Sequence, residues 1–209
     1  MRDIVPVSHD SFPGIPSHRS NTSAMLALKP HLSFASTCAL FGLALSATGF
    51  AADPFSAVRD GRPLLHPETF FGGHTHSWGL FETRSGAPSK LIHTQTSGRW
   101  DGGVLTFEQD LEIQGCKKSH RSWEVRRIDQ HHYTATGTGI IGTARGEAWG
   151  NAFHLEFTID AVPGNPLAHL HMSQWMYLQP DGVTLVNRDT LSKAGVTVAE
   201  ITEQFHKDR

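Results

Sequence analysis

Apolar and polar side chains alternate with a period of two along most of the chain beyond residue 66. In LTFEQDLEI, Leu105, Phe107 and Leu111 fall on one face, and charged residues fill most of the other. AFHLEFTID repeats this pattern from Ala152 to Asp160. The spacing is typical of half-buried strands, because a helix with 3.6 residues per turn would spread both sets around its circumference.

Clusters of turn residues, such as RSGAPS, WDGG, AVPGNP and QPDG, separate the alternating runs. The runs predict strands over residues 71–83, 91–100, 104–114, 119–127, 133–138, 141–148, 152–160, 168–178 and 183–189. The last segment, Val196 to Phe205, is compatible with a strand or with a short helix, and we favour the strand.

Short connections between so many strands indicate an all-β fold, an antiparallel up-and-down meander. Closing such a meander into a barrel removes its exposed edges. We therefore predict a closed barrel of about 8–10 strands, a size whose interior holds its own side chains or one small ligand. The alternating apolar face would supply that interior.

The first 51 residues have the composition of a targeting segment rather than of a folded domain. We interpret residues 1–24 as a mis-annotated or disordered extension, with Met25 as the initiator, and residues 25–51 as a signal peptide. Cleavage near Ala51 would leave residues 52–209 as one domain, periplasmic or secreted. The alternative is an uncleaved anchor, because Leu32 to Phe50 is nearly long enough to span a bilayer.

The composition argues against several partners. The net charge is −2, so the chain as a whole carries no basic field to attract nucleic acid. We expect membrane contact only peripherally or through an uncleaved signal anchor. After cleavage Cys116 would be the one remaining cysteine, which excludes an internal disulfide.

Two His-x-His pairs stand out among the 14 histidines: His74 with His76, and His169 with His171. Residues i and i+2 of a strand share a face, about 7 Å apart. Imidazoles on adjacent strands can bind Zn²⁺ or Cu²⁺, and the first and eighth strands would be neighbours in an eight-stranded barrel. The alternative is ordinary surface histidines, since His169 and His171 alternate with an apolar core face. No cofactor is predicted.

Five aromatic residues and one arginine in the strands are the candidates for a ligand-binding wall. The set comprises Trp78, Phe107, Phe157, Trp175, Tyr177 and Arg188. Aromatic rings commonly line apolar ligand cavities, although simple packing of strand ends is the alternative for the tryptophans. The chain contains no G-x-S-x-G elbow, no recognisable Cys–His motif and no phosphate loop, so no catalytic residue is predicted.

Four segments, FFGGHTHSWGLFETRSG, TSGRWDGGVLTFEQDL, GTARGEAWGNAFHLEF and WMYLQPDGVTLVNRDTLSKAGVTVAEITEQF, resemble the bacterial domain-of-unknown-function 3833 family. The resemblance runs from about His66 to Lys207. It implies an exported or lipid-anchored envelope protein with a lipocalin-like, all-β fold, and no established activity comes with it.

Two details of the resemblance bear on the site. Gly73 to Trp78 is similar to the first strand of lipocalins, which implies that Trp78 plugs one barrel end and that Arg188 covers an indole or pairs with an inward carboxylate. Acidic pairs of the family pattern are replaced here by Ser173-Gln174 and Thr138-Gly139.

Three functions remain open on the sequence. The first is binding or carriage of a lipophilic small molecule or lipid in the bacterial envelope. The second is a lipid-modifying enzyme that uses the same cavity, and the third is a filled structural barrel that acts as an envelope interaction protein. The ligand and the oligomeric state are not determined by the residues.

Overall fold

The structure, a computed structural model, describes residues 52–209 of the chain. The predicted extension over residues 1–24 and the predicted signal peptide over residues 25–51 lie outside the described residues, and both stay predictions. Between residues 52 and 209, no helix is long and apolar enough to cross a membrane.

Ten antiparallel strands form one closed barrel in which each strand pairs with the next along the chain, and the last pairs with the first. The strands are β1 (Gly73–Thr83), β2 (Pro88–Trp100), β3 (Val104–Ile113), β4 (Ser119–Arg127), β5 (His132–Gly137), β6 (Ile140–Trp149), β7 (Ala152–Asp160), β8 (His169–Leu178), β9 (Thr184–Lys193) and β10 (Val196–Lys207). This confirms the predicted lipocalin-like, up-and-down barrel. The last segment is a strand, as we favoured.

The alternation in the sequence is the alternation between the inside and the outside of the barrel. On β3, Leu105, Phe107 and Leu111 are buried, whereas the residues between them are exposed or half-buried. The same holds for Phe153, Leu155 and Phe157 on β7. Burial of each such side chain contributes about 1.5–3 kcal/mol to stability.

One end of the barrel, the closed end, is covered by the chain that precedes β1. A short helix, α1 (Pro67–Phe70), lies across it, with Leu65 and Phe71 buried beside the helix. The ammonium group of Lys207 donates hydrogen bonds to the carbonyl oxygens of Thr69 and Phe70, at 2.9 and 2.8 Å, and to that of Gly72. The end of β10 therefore fastens the cover in place.

Close packing of the cover requires glycine at one position of β2. A Cβ atom on Gly98 would lie 2.0 Å from the carbonyl oxygen of Phe71. No side chain fits there, so Gly98 permits Phe71 to reach the barrel interior.

The opposite end, the mouth end, carries five short connections. They comprise residues 84–87, 114–118, 138–139, 161–168 and 194–195. The inward-facing apolar residues near these connections are only partly buried: Phe81, Ile113, Ile140, Ile159, Leu170 and Ala199. Because their counterparts near the closed end, such as Leu105 and Leu185, are almost fully buried, the interior opens to solvent at the mouth end.

Candidate ligand-binding site

The barrel encloses a cavity with largely apolar walls, in which the centre of a water molecule could occupy about 120 Å³. The residues that line it come from eight of the strands and the closed-end cover, and they include Phe71, Phe81, Ile92, Phe107, Leu111, Trp123, Phe153, Leu155, Phe157, Met172, Met176, Leu191, Ile201 and Phe205.

An aromatic wall runs down one side of the cavity. The ring of Trp123 stacks against Phe107, with centroids 6.0 Å apart, and meets the edge of Phe157 at 5.5 Å. The indole Nε1 of Trp123 donates to Oε1 of Gln109 at 2.9 Å, so its one polar atom is satisfied inside the barrel. Phe107 and Phe157 thus line the cavity, as the aromatic pattern predicted.

A polar cluster interrupts the apolar walls at mid-height. On β10, Glu203 is buried and lines the cavity. Its Oε1 accepts hydrogen bonds from the hydroxyl groups of Ser77, at 2.8 Å, and Thr94, at 3.2 Å. Burial raises the pKa of Glu203, although these two hydroxyls and the charge of Arg121 oppose the rise.

Asp189 on β9 is the second carboxyl group of the cluster, and its side chain is almost completely buried. Its Oδ2 accepts from Nδ2 of Asn187 at 3.1 Å. Burial, reinforced by the charge of Glu203, raises the pKa of Asp189 well above its ordinary value. Its Oδ1 has no hydrogen-bond partner among the described residues, and neither has Oδ1 of Asn187. A buried polar atom without a partner is costly, so this position favours a bound group that satisfies it.

Arg121 on β4 supplies the positive charge of the cluster. It lines the same cavity, half-buried, directly opposite Gln109 of β3. Burial lowers the pKa of Arg121, and the charges of Glu203 and Asp189 oppose that lowering. Within residues 52–209 no carboxylate lies within ion-pair distance of its guanidinium, which leaves its donors to face the cavity.

None of these three charged residues was among the predicted site residues. Glu203 lies in phase with Ile201 and Phe205, and Asp189 lies in phase with Leu185 and Leu191. A charged residue that shares the alternating positions of a strand's apolar residues points inward. This alternation in the sequence could have identified Glu203 and Asp189 as interior residues. Arg121 lies in phase with Trp123 and Val125 of β4 and could have been found in the same way.

Four of the predicted ligand-binding residues lie on the outside of the barrel. Trp78 is 60% exposed, stacked against His93 on the outer wall, so the expectation that it plugs a barrel end is wrong. Arg188 faces solvent and pairs with Glu200 at 3.1 Å. Successive side chains of a strand point to opposite faces. Because Ser77 and Asp189 point inward, their neighbours Trp78 and Arg188 point outward.

Trp175 and Tyr177 also lie on the outer wall, since their neighbours Gln174 and Met176 are the ones that line the cavity. Phe55, from the segment that precedes β1, packs on Trp175 with ring centroids 5.0 Å apart. On its other side Trp175 stacks on His154 at 4.2 Å. These rings hold residues near Phe55 against the barrel, which is a packing role.

The two histidine pairs do not converge. His74 and His76 lie on β1, and His169 and His171 lie on β8, with β9 and β10 between the two strands. The expectation that the strands are neighbours is wrong because the barrel closes with ten strands rather than eight. Among residues 52–209, no group of three or more His, Cys, Asp or Glu side chains is placed to hold a metal ion.

The fold and the site define a class: a lipocalin-like, ten-stranded up-and-down barrel with an internal cavity that opens at one end. The model of the family described as protein of unknown function (DUF3833) matches residues 44–207. The chain belongs to that family, as the sequence resemblance implied.

Comparisons beyond the family bear on fold alone. A search of curated proteins found no match. Among solved structures, the S-type phycobiliprotein lyase CPES from Guillardia theta is similar, with a TM-score of 0.51 and 9% sequence identity. The match covers 71% of this chain and 95% of the lyase chain.

Proposed function

We propose that the protein binds a lipophilic small molecule or lipid in the barrel, with an apolar part against the aromatic wall and a polar group at mid-height. The observation that supports this most directly is the cavity itself, which a barrel filled by its own side chains would lack. The lyase of similar fold acts, by its name, on a phycobiliprotein, which agrees with a binding role.

The polar cluster selects the chemistry of the polar group. The guanidinium of Arg121 offers donors, and Oδ1 of Asp189 is a buried atom without a partner. A group that both accepts and donates hydrogen bonds, such as a hydroxyl, amide or protonated carboxyl, would satisfy both. A neutral group also avoids bringing a charge into the largely apolar cavity.

The proposal is tested by native mass spectrometry and calorimetry with the purified protein and three neutral probes of matched length: 1-decanol, decanamide and decane. We expect the first two to bind at least roughly tenfold more tightly than decane, since hydrogen bonds to charged groups contribute about 1.5–3 kcal/mol. Arg121→Met should remove this preference. The matched control, Arg188→Met, changes an arginine of the outer wall and should bind like the wild type.

Equal binding of decane and decanol would refute the role of the polar cluster. No binding of any probe, and no lipid retained after incubation with an envelope lipid extract, would refute the function. Leu155→Trp, which fills the cavity from the wall of β7, serves as a second check: it should abolish binding while leaving the circular dichroism spectrum unchanged.

A second candidate function, chemical modification of the bound molecule, is favoured by one observation. Two buried carboxyl groups with raised pKa values line the cavity, and such groups can serve as general acids near neutral pH. Mass spectrometry of a lipid extract before and after incubation would reveal a product. Turnover that survives both Asp189→Asn and Glu203→Gln would exclude this role for the pair.

Location in the envelope belongs to the same proposal. Its support is the predicted signal peptide over residues 25–51, and an N-terminal sequence of the protein recovered from cell fractions tests it. A chain that begins near residue 52 and is released by osmotic shock would agree with export, and an intact N-terminus in the cytoplasmic fraction would contradict it.

A further inference from the structure

The connections at the two ends of the barrel carry opposite charge. The five connections of the mouth end contain Arg84, Lys117 and Lys118 and no acidic residue. The four connections of the closed end, residues 101–103, 128–131, 150–151 and 179–183, contain three aspartates and no Lys or Arg. The net charge of −2 does not reveal this difference between the two sets of connections.

Exposed apolar side chains concentrate at the same end. Six of the nine large exposed apolar residues in the described part of the chain lie in or beside the mouth-end connections: Leu91, Ile141, Val162, Leu167, Val196 and Val198. The most exposed of all is Leu167, at 84%, at the tip of the connection between β7 and β8. Apolar residues grouped in this way are unusual on a soluble surface and mark an interaction site.

The backbone that carries Leu167 is held in place. The ammonium group of Lys193 donates to the carbonyl oxygen of Leu167, and to that of His169 at 2.9 Å. Asn165 caps the short 3₁₀ turn by accepting from the amide of Leu167 at 3.1 Å. Leu167 is thus presented to solvent from a fixed loop.

We propose that the mouth end docks on an anionic lipid bilayer, with the exposed apolar residues entering the interface and the cations facing lipid phosphates. Charge complementarity selects this partner, because the charged residues of the mouth-end connections are all cations, of which Lys118 pairs with Glu112 at the end of β3, whereas the closed-end connections carry only aspartates. The orientation places the opening of the cavity against the lipid. This inference does not depend on the proposed ligand, because it rests on the outer surface of the mouth end.

Vesicle flotation tests the surface. We expect the fraction of protein that floats to be at least about tenfold larger with phosphatidylcholine vesicles that contain about 30 mol% phosphatidylglycerol than with phosphatidylcholine alone. High salt should lower this fraction. Leu167→Glu should reduce flotation about tenfold, whereas Leu64→Glu, at an exposed apolar residue of the closed end, should not. Lys117→Glu with Lys118→Glu should act like Leu167→Glu.

The apolar segment of residues 32–50 is the same in all these variants, so binding through that segment alone would leave their flotation equal to that of the wild type and would overturn the proposal.

The orientation on the membrane is tested with Cys116, an exposed thiol of a mouth-end connection. In a Cys38→Ser background, a fluorophore on Cys116 should be quenched by nitroxide-labelled lipids. The same fluorophore at the closed end, on Gln130→Cys with Cys116→Ser, should not be. Equal quenching at the two ends, or quenching at neither while the protein floats, would also overturn it.

Discussion

Replacement of Asp189 by asparagine should make the protein more stable at neutral pH and less sensitive to pH. The folded state holds this carboxyl group in a buried position beside Glu203, which raises its pKa well above the ordinary value. The unfolded chain exposes it to water, where its pKa is about 3.9. Asp189→Asn keeps a side chain of the same shape that can still accept from Asn187, and it removes the ionisation.

The sign and size follow from proton linkage. Below about pH 3.9 both states are protonated and Asp189 adds no pH dependence. Above that value the folded state retains a proton that the unfolded state has released, so stability falls by about 1.4 kcal/mol for each pH unit until the folded group itself ionises. Glu203 has a raised pKa for a similar reason. Where both windows overlap, the two protons give a slope of about 2.7 kcal/mol per pH unit.

Urea unfolding between about pH 4.5 and 7, at constant salt, measures this slope. We expect Asp189→Asn to halve it and to exceed the wild type in unfolding free energy at pH 7. Asp60→Asn, which changes an exposed aspartate, is the control and should retain the wild-type slope. A slope that is the same in Asp189→Asn and in the wild type would refute the reasoning, because it would mean that the buried carboxyl is ionised at no cost.

Three further predictions concern other parts of the barrel. Glu203→Leu leaves the hydroxyls of Ser77 and Thr94 without their acceptor, and should lower the unfolding free energy by about 2–6 kcal/mol, at about 1–3 kcal/mol for each hydroxyl. Glu203→Gln should lower the unfolding free energy by less than half as much. Equal losses in the two variants would show that these hydrogen bonds do not stabilise the protein. Lys207→Met should speed amide hydrogen exchange in α1 at least about tenfold while leaving β5 unchanged, and an unaltered α1 would show that the ammonium does not hold the cover. Cys116 should react with a thiol reagent in the folded protein within about threefold of its rate in urea, since it is exposed; strong protection would contradict the placement of its loop.

The strands could be predicted because the interior of this barrel is mostly apolar. The side chains that are buried are therefore the apolar ones, and their alternation with polar residues marks each strand in the sequence. The exception is informative. Strand β9 was predicted to end at Asp189, whereas it continues to Lys193. The inward face of β9 carries Asn187 and Asp189, and these polar residues break the apolar pattern where the cluster is built.

The candidate site was only partly predictable for the same reason. Phe107 and Phe157 follow the apolar pattern, and they line the cavity. Trp78 and Arg188 were chosen by residue type and by likeness to lipocalins rather than by parity, and both face outward. Convergence of Arg121 with Asp189 depends on how the closed barrel brings β4 opposite β9, which spacing along one strand does not reveal.

The pairing of β1 with β10 has a consequence for how the chain is made. Every other pairing joins strands adjacent in the sequence, but Thr83 must wait for Ala199, which follows it by 116 residues. Until then the unpaired edge of β1 offers free backbone amides to any other extended polypeptide. Nascent or truncated forms that stop before residue 196 should therefore be the ones that depend on chaperones.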